Sequence, residues 1–179
     1  MELVVLERFE KLPIELDRVR EFLRIGGYVS DDRVLEILKT ACEIFEAKTS
    51  RSVVQKRLLY THAQVCLHLP KSPINKIHFV KYKNQGSREF TELNRLHYDE
   101  LRHQEYCCVK IKEEFTTLYM YSKIQVQYDV GYTTETLPAS IQEVILNYCL
   151  SINDNTHDSI FRNTSSVDNM CSQFRMRFI

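Results

Sequence analysis

The sequence predicts an α+β fold, with an N-terminal helical pair and a C-terminal helix packed with an inserted antiparallel β region, followed by a C-terminal tail. Three observations carry this. Apolar residues recur at helical spacing over 14–25 and 31–48, the period changes to two after Ser52, and helical spacing returns after Gly131.

The first helix spans about 14–25 and shows its apolar stripe at Leu16, Val19, Phe22 and Leu23. Gly26-Gly27 is expected to end it, because glycine takes the left-handed conformation of a helix C-cap. Ser30 or Asp31 caps the second helix, about 31–48, with Asp31 and Asp32 near the positive end of its dipole. That helix carries Val34, Leu35, Leu38, Cys42 and Phe45, widened by Ile37, Ala41 and Ile44, so it should be buried on more than one side. The antiparallel strands lie within 53–130. Residues 53–69 read as one or two strands, closed by LPKSPI, whose prolines cannot donate ladder hydrogen bonds. Residues 77–82 give another strand before the turn Asn84-Gln85-Gly86-Ser87, and 106–111 a further short one. Ile124, Val126, Tyr128 and Val130 alternate with Lys123, Gln125, Gln127 and Asp129, so one face meets a core and the other meets water. The last helix, about 138–152, places Ile141, Val144, Ile145, Tyr148, Cys149 and Ile152 on one stripe. Pro138 suits its start, and Ser140 with Glu143 is placed to form a capping box. The expected division is a domain over 1–155 and a tail over 156–179, the latter polar enough to be poorly ordered in isolation.

Composition narrows the function classes. A chain of 179 residues buries about two-thirds of its unfolded surface and needs neither metal nor disulfide to fold. No run approaches the about 18 apolar residues of a membrane span, and MELVVLERFEKLP lacks the features of a secretion signal, so cytoplasmic synthesis is expected. The cysteines, Cys42, Cys66, Cys107, Cys108, Cys149 and Cys171, are then expected to be reduced structural thiols. The 24 basic residues are balanced by 24 acidic ones, which argues against a dedicated nucleic-acid binder. Their distribution is uneven, however. Arg51, Lys56, Arg57, Lys71, Lys76, Lys81, Lys83 and Arg88 face Glu89 alone across 51–90. That stretch is either a solvated strand face or a surface for DNA or an acidic partner.

Motifs of catalysis are missing. The glycines at 26, 27, 86 and 131 assemble no phosphate-binding loop, and no nucleophile elbow, zinc-protease or calcium-loop pattern occurs. His97, His103, Cys107 and Cys108 have zinc-ligand chemistry without zinc-site spacing. Cys66 and His68 share a strand face but lack an orienting third group in the sequence. No catalytic residue, no metal ligand and no cofactor is expected. The ten tyrosines and nine phenylalanines mostly occupy buried alternation, so core packing is favoured over base stacking.

Three segments carry a resemblance: LDRVREFLRIGGYVSDDRVLEILKTACEIFEAKTSRSV, LHLPKSPINKIHFVKYKNQG and IQVQYDVGYTTETLPASIQEVILNYCL. In that order, over about 16–152, the chain resembles the head-tail connector, or adaptor, proteins of long-tailed bacteriophages and phage-derived gene transfer agents. The resemblance implies a structural virion protein at the head-tail joint, made in the bacterial cytoplasm. It implies a ring of this chain, a dodecamer as is usual in the family, that binds the portal protein and a stopper or tail-completion protein while packaged DNA passes through its channel. It implies no membrane partner. On this reading Lys71, Lys76, Lys81, Lys83 and Arg88 supply the DNA channel or a basic surface. The alternative is a small nucleic-acid-binding module built on the basic 51–88 region.

The family's C-terminal segment commonly reaches into the portal. Here the end reads QFRMRFI, in which Phe174, Met176 and Phe178 alternate with Arg175 and Arg177 before Ile179. That pattern suits a strand added to a partner's sheet. The competing expectation is that this end folds back onto its own domain.

Overall fold

The computed structural model describes residues 1–64, 66–103, 106–118, 121–154 and 159–176. In chain order the first elements are β1 (Glu2–Arg8), α1 (Leu16–Leu23), α2 (Asp31–Thr49), β2 (Lys56–His62), β3 (Cys66–His68) and β4 (Ile74–Asn84). Then follow β5 (Thr91–Glu92), a 3-10 turn (Arg95–His97), β6 (Tyr98–Arg102), β7 (Cys107–Ile111), α3 (Glu113–Leu118), β8 (Tyr121–Val130), α4 (Ala139–Asn153) and α5 (Ser159–Ser172). The fold is α+β, as the periodicities predict. The chain groups into a β unit, containing Met1–Phe9 and Gln55–Gly131, and a helical unit, containing Glu10–Val54 and the described residues from Tyr132 onward.

The helical unit is organised by α4. Its Ile141, Val144, Ile145, Leu146, Tyr148 and Cys149 are all buried, more than one stripe can supply, because α1, α2 and α5 each pack against it. From α2 come Val34, Ile37, Leu38, Ala41, Cys42 and Phe45, and from α1 Val19 and Leu23. Ser30 caps α2 as expected, its hydroxyl accepting from the Arg33 N–H at 3.4 Å. Two expected ends differ. Arg24, not Gly26 or Gly27, takes the left-handed conformation that closes α1, with φ of 54°. The Ser140–Glu143 capping box does not form, because α4 begins at Ala139 and its N-cap is Pro138, so Ser140 is already inside the first turn.

The Thr-Ser-Arg sequence after α2 has a clear structural role. Thr49 donates to the Phe45 carbonyl and accepts from the Arg51 N–H, while Ser50 takes the left-handed conformation that turns the chain. Glu46, buried on the same helix, accepts from the N–H groups of Val53 at 2.7 Å and Val54 at 3.1 Å. A carboxylate thus pairs backbone donors of the following loop that would otherwise be costly to bury.

The run expected to be a tail contains α5. Val167, Cys171 and Met176 are buried and Phe174 packs against the same core, its ring 6.0 Å from that of Phe45. Polar composition concealed a stripe at positions 167, 171 and 174, spaced i, i+4, i+7.

In the β unit a five-stranded sheet runs β1-β2-β8-β4-β5 and a three-stranded sheet runs β3-β7-β6, with every pair antiparallel. They share one core. Leu58, Tyr60, Val80, Ile124, Val126, Tyr128 and Val130 enter from the first sheet, Leu67, Tyr98, Val109 and Ile111 from the second, and Phe115 from α3. The inward set on β8 is the one its alternation predicts. The LPKSPI and YDVGY segments meet here: the Tyr128 hydroxyl donates to the Pro70 carbonyl at 2.6 Å, and the Gly131 N–H to the Pro73 carbonyl at 3.1 Å. Gly131 has φ of 104°, a conformation side chains resist. The sequence reading did not anticipate β1, whose LVVL run lacks alternation, or α3, which lies in the charged middle region.

Candidate functional site

The outward face of the five-stranded sheet gathers the charged residues that the alternation of its strands leaves in solvent. On β8 the charged residues are Lys123 and Asp129, with the polar Gln125 and Gln127 between them, opposite in side to the buried Ile124, Val126, Tyr128 and Val130. On β4, Lys81 and Lys83 flank the inward-facing Tyr82, and register sets Lys83 against Lys123 and Lys81 against Gln125. Like charges placed directly across two strands repel, so Lys83 and Lys123 form a spot that favours an anion. Aromatic rings support the lysines: the Lys81 Nζ lies 4.3 Å from the Phe79 ring centroid and the Lys83 Nζ 5.8 Å from that of Phe90.

Along the same face the charges are paired. Arg57 of β2 donates to Asp129 through Nε at 2.9 Å and to Glu7 of β1 through NH1 at 3.1 Å, and His78 Nε2 lies 2.7 Å from the second Asp129 oxygen. Burial pushes the Asp129 pKa up, but the hydrogen bonds from Arg57 and His78 outweigh it and hold the carboxylate below its ordinary range. This end is a satisfied ion network.

The structure therefore divides the basic set read from the sequence. Lys81 and Lys83 share one patch, joined by Lys123, which sequence reasoning assigned to the solvated face of β8 without linking it to them. The signal for that link is the β4–β8 register, which no local pattern contains. Lys76 sits near the start of β4, Lys71 in the turn before it with φ of 69°, and Arg88 in the exposed loop after it.

The C-terminal residues are placed as follows. The Phe174 carbonyl accepts from Arg51 Nε at 2.7 Å, Arg175 Nε donates to the Lys48 carbonyl at 3.2 Å, and the Met176 N–H donates to the Thr49 carbonyl at 2.9 Å. Residues 174–176 fold back onto the end of α2. Arg177, Phe178 and Ile179 lie outside the described residues. Asp168 of α5 reinforces the docking by pairing with Lys48 of α2 and accepting from the Tyr148 hydroxyl of α4 at 2.8 Å.

The zinc-type residues are also redistributed. Cys107 packs in the core, His97 lies against the Phe115 ring and His103 stacks on Tyr106 at 4.4 Å. Across the β3–β7 pairing, Cys66, His68 and Cys108 instead present ligand atoms within 4.8 Å of one another. Burial, aided by a hydrogen bond with Cys66, pushes the Cys108 thiol up to about 12.

Three solved structures match this arrangement from end to end. One chain comes from the neck of an empty gene transfer agent particle computed with C6 symmetry, at 13% identity and a TM-score of 0.72. Another comes from the virion of a native gene transfer agent particle, at 14% and 0.78, and a third from the neck of the native particle computed with C12 symmetry, at 12% and 0.72. Each match covers 100% of this chain and 97% of the other. The fold is that of gene transfer agent particle chains. At these identities the likeness is one of fold, and it covers the whole of this chain. No protein-family model matches the sequence, and no curated protein matches it. No helix among the described residues is long and apolar enough to cross a membrane.

Proposed function

We propose that this chain is a structural neck protein of a phage-like particle, a head-tail connector that closes a ring with copies of itself. The supporting observation is the end-to-end match to chains from particle necks, two of them computed with sixfold and twelvefold symmetry. Such a ring needs a heterologous interface, in which one face of each subunit meets a different face of the next. The β1 edge is suited to it. Leu3, Val4, Val5 and Leu6 are all exposed, and an apolar edge strand with unpaired backbone groups favours association. A connector requires no catalytic group.

In this reading the ring binds a portal protein on one side and a stopper or tail-completion protein on the other. The C-terminal end takes the portal contact, through Arg175 and the residues beyond Met176, since Phe174 and Met176 already engage the helical unit. The patch of Lys81, Lys83 and Lys123 faces the DNA channel. Native mass spectrometry across a concentration series, with and without portal rings, tests assembly. Rings of six or twelve are expected at high concentration or on the portal, and a stable twofold dimer that never grows would refute the proposal.

The lysines over aromatic rings also favour a second reading, a small nucleic-acid-binding module. Free protein would then bind short duplex DNA with a salt slope of about 0.9 per phosphate neutralised. Replacing Lys81, Lys83 and Lys123 with glutamate would abolish it. Absence of measurable binding by the unassembled chain leaves the connector reading standing and removes the module.

A further inference from the structure

We infer that Cys66, His68 and Cys108 form a binding site for one zinc ion on the outward face of the three-stranded sheet. Cys66 and His68, two apart on β3, project to the same side, and register sets Cys108 of β7 directly across from His68. Leu67 and Val109, the alternate residues, fill the core behind them with almost no exposure. The three ligands thus stand on paired strands whose other face is locked by packing, which holds ligand geometry better than loops do. Their ligand atoms lie within 4.8 Å of one another. Bonds of about 2.3 Å to sulfur and 2.0 Å to nitrogen place tetrahedral ligands roughly 3.5–3.8 Å apart, so side-chain rotation alone closes the site.

The donor set selects the ion. Two thiolates and an imidazole suit a borderline-soft cation and not magnesium or calcium, which prefer oxygen. Binding releases one proton from each thiol to solvent, and the His68 nitrogen that binds zinc does so as a neutral donor. The His68 ring is oriented by stacking on Tyr106 at 5.9 Å, and Tyr106 stacks in turn on His103. The stack limits rotation of the imidazole before a metal binds. Cys66 and His68 are only half-buried, so a water completes the fourth position. The ion would tie the three-residue β3 to β7, adding a coordination link beside the few backbone hydrogen bonds of so short a strand.

The test uses the full chain, reduced and stripped of metal. Titration with cobalt(II) should give one equivalent with thiolate charge-transfer absorption and the intense visible bands of tetrahedral cobalt. Zinc should displace it and shield two thiols from a thiol reagent. Cys108→Ser should weaken zinc binding by at least about 100-fold, since each ligand carries a large share of the energy of such a site. Should Cys108→Ser fail to fold, His68→Gln carries the same expectation on a half-exposed residue. His97→Gln should leave affinity unchanged. Cobalt spectra without thiolate bands, zinc affinity indifferent to both variants, or isolation of Cys66 and Cys108 as a disulfide that takes up no zinc would each overturn the inference.

Discussion

Asp168 of α5 ties its helix to two neighbours, to α2 through Lys48 and to α4 through Tyr148. Burial alone would raise its pKa, but hydrogen bonds from Lys48 and Tyr148 outweigh it and hold the carboxylate below its ordinary value of 3.8. The sign follows by linkage. The unfolded chain takes up the proton at higher pH than the folded one, so the contribution is whole above 3.8 and is lost as pH falls through the lower folded value. Because the pair is about a third exposed, its contribution is modest. Asp168→Asn should cost about 1 kcal/mol at neutral pH and flatten the acid limb of stability. Urea midpoints measured from about pH 2 to pH 6 would show it, and a variant whose acid limb matches the parent's would dissociate Asp168 from that behaviour. Asp129 should behave in the same sense through Arg57 and His78.

At the scale of elements, α5 belongs to the helical unit. Val167, Cys171 and Met176 are buried and Phe174 covers the Phe45 side of α2. Polar composition alone predicts that deletion of residues 155–179 is harmless to stability; the packing predicts the opposite. Apolar side chains of this size contribute roughly 1.5–3 kcal/mol each when buried. Loss of several should lower the thermal midpoint by on the order of 10 °C. A melt within a few degrees of the parent would show that α5 is dispensable to the fold. The stripe at 167, 171 and 174 was legible, but polar residues diluted it, and the helix forms because α2 and α4 offer a surface for it. Helices gain most of their stability from such packing.

For the whole molecule, the exposed β1 edge is the element that the connector proposal depends on most. Val4 faces outward across from Leu59, 38% exposed, and Leu6 is 48% exposed at the bulged end of the strand. Introducing Val4→Lys together with Leu6→Lys adds two charges to this edge, the device by which natural edge strands resist pairing. The expected result is a folded monomer with an unaltered circular dichroism spectrum that forms no rings by native mass spectrometry. Rings formed as readily as by the parent would move the subunit interface elsewhere.

The sequence by itself determined the helices α1, α2 and α4, the strands β2, β3, β4, β7 and β8, and which face of β8 is buried, because those properties follow from side-chain period and neighbouring residues only. It also carried, in the Leu-Pro-Lys-Ser-Pro-Ile and Tyr-Asp-Val-Gly-Tyr segments, the resemblance whose fold the neck structures share. The tertiary structure alone decided what depends on pairing between distant segments. Register across β4 and β8 brought Lys123 to Lys83, and register across β3 and β7 gave Cys66 and His68 the third group that their own strand lacks. The buried faces of α2 and α4 drew in a polar-looking helix and the residues after it. A local period fixes which way a side chain points, whereas the partner it meets is set by register and packing over long sequence separations, where no local signal exists.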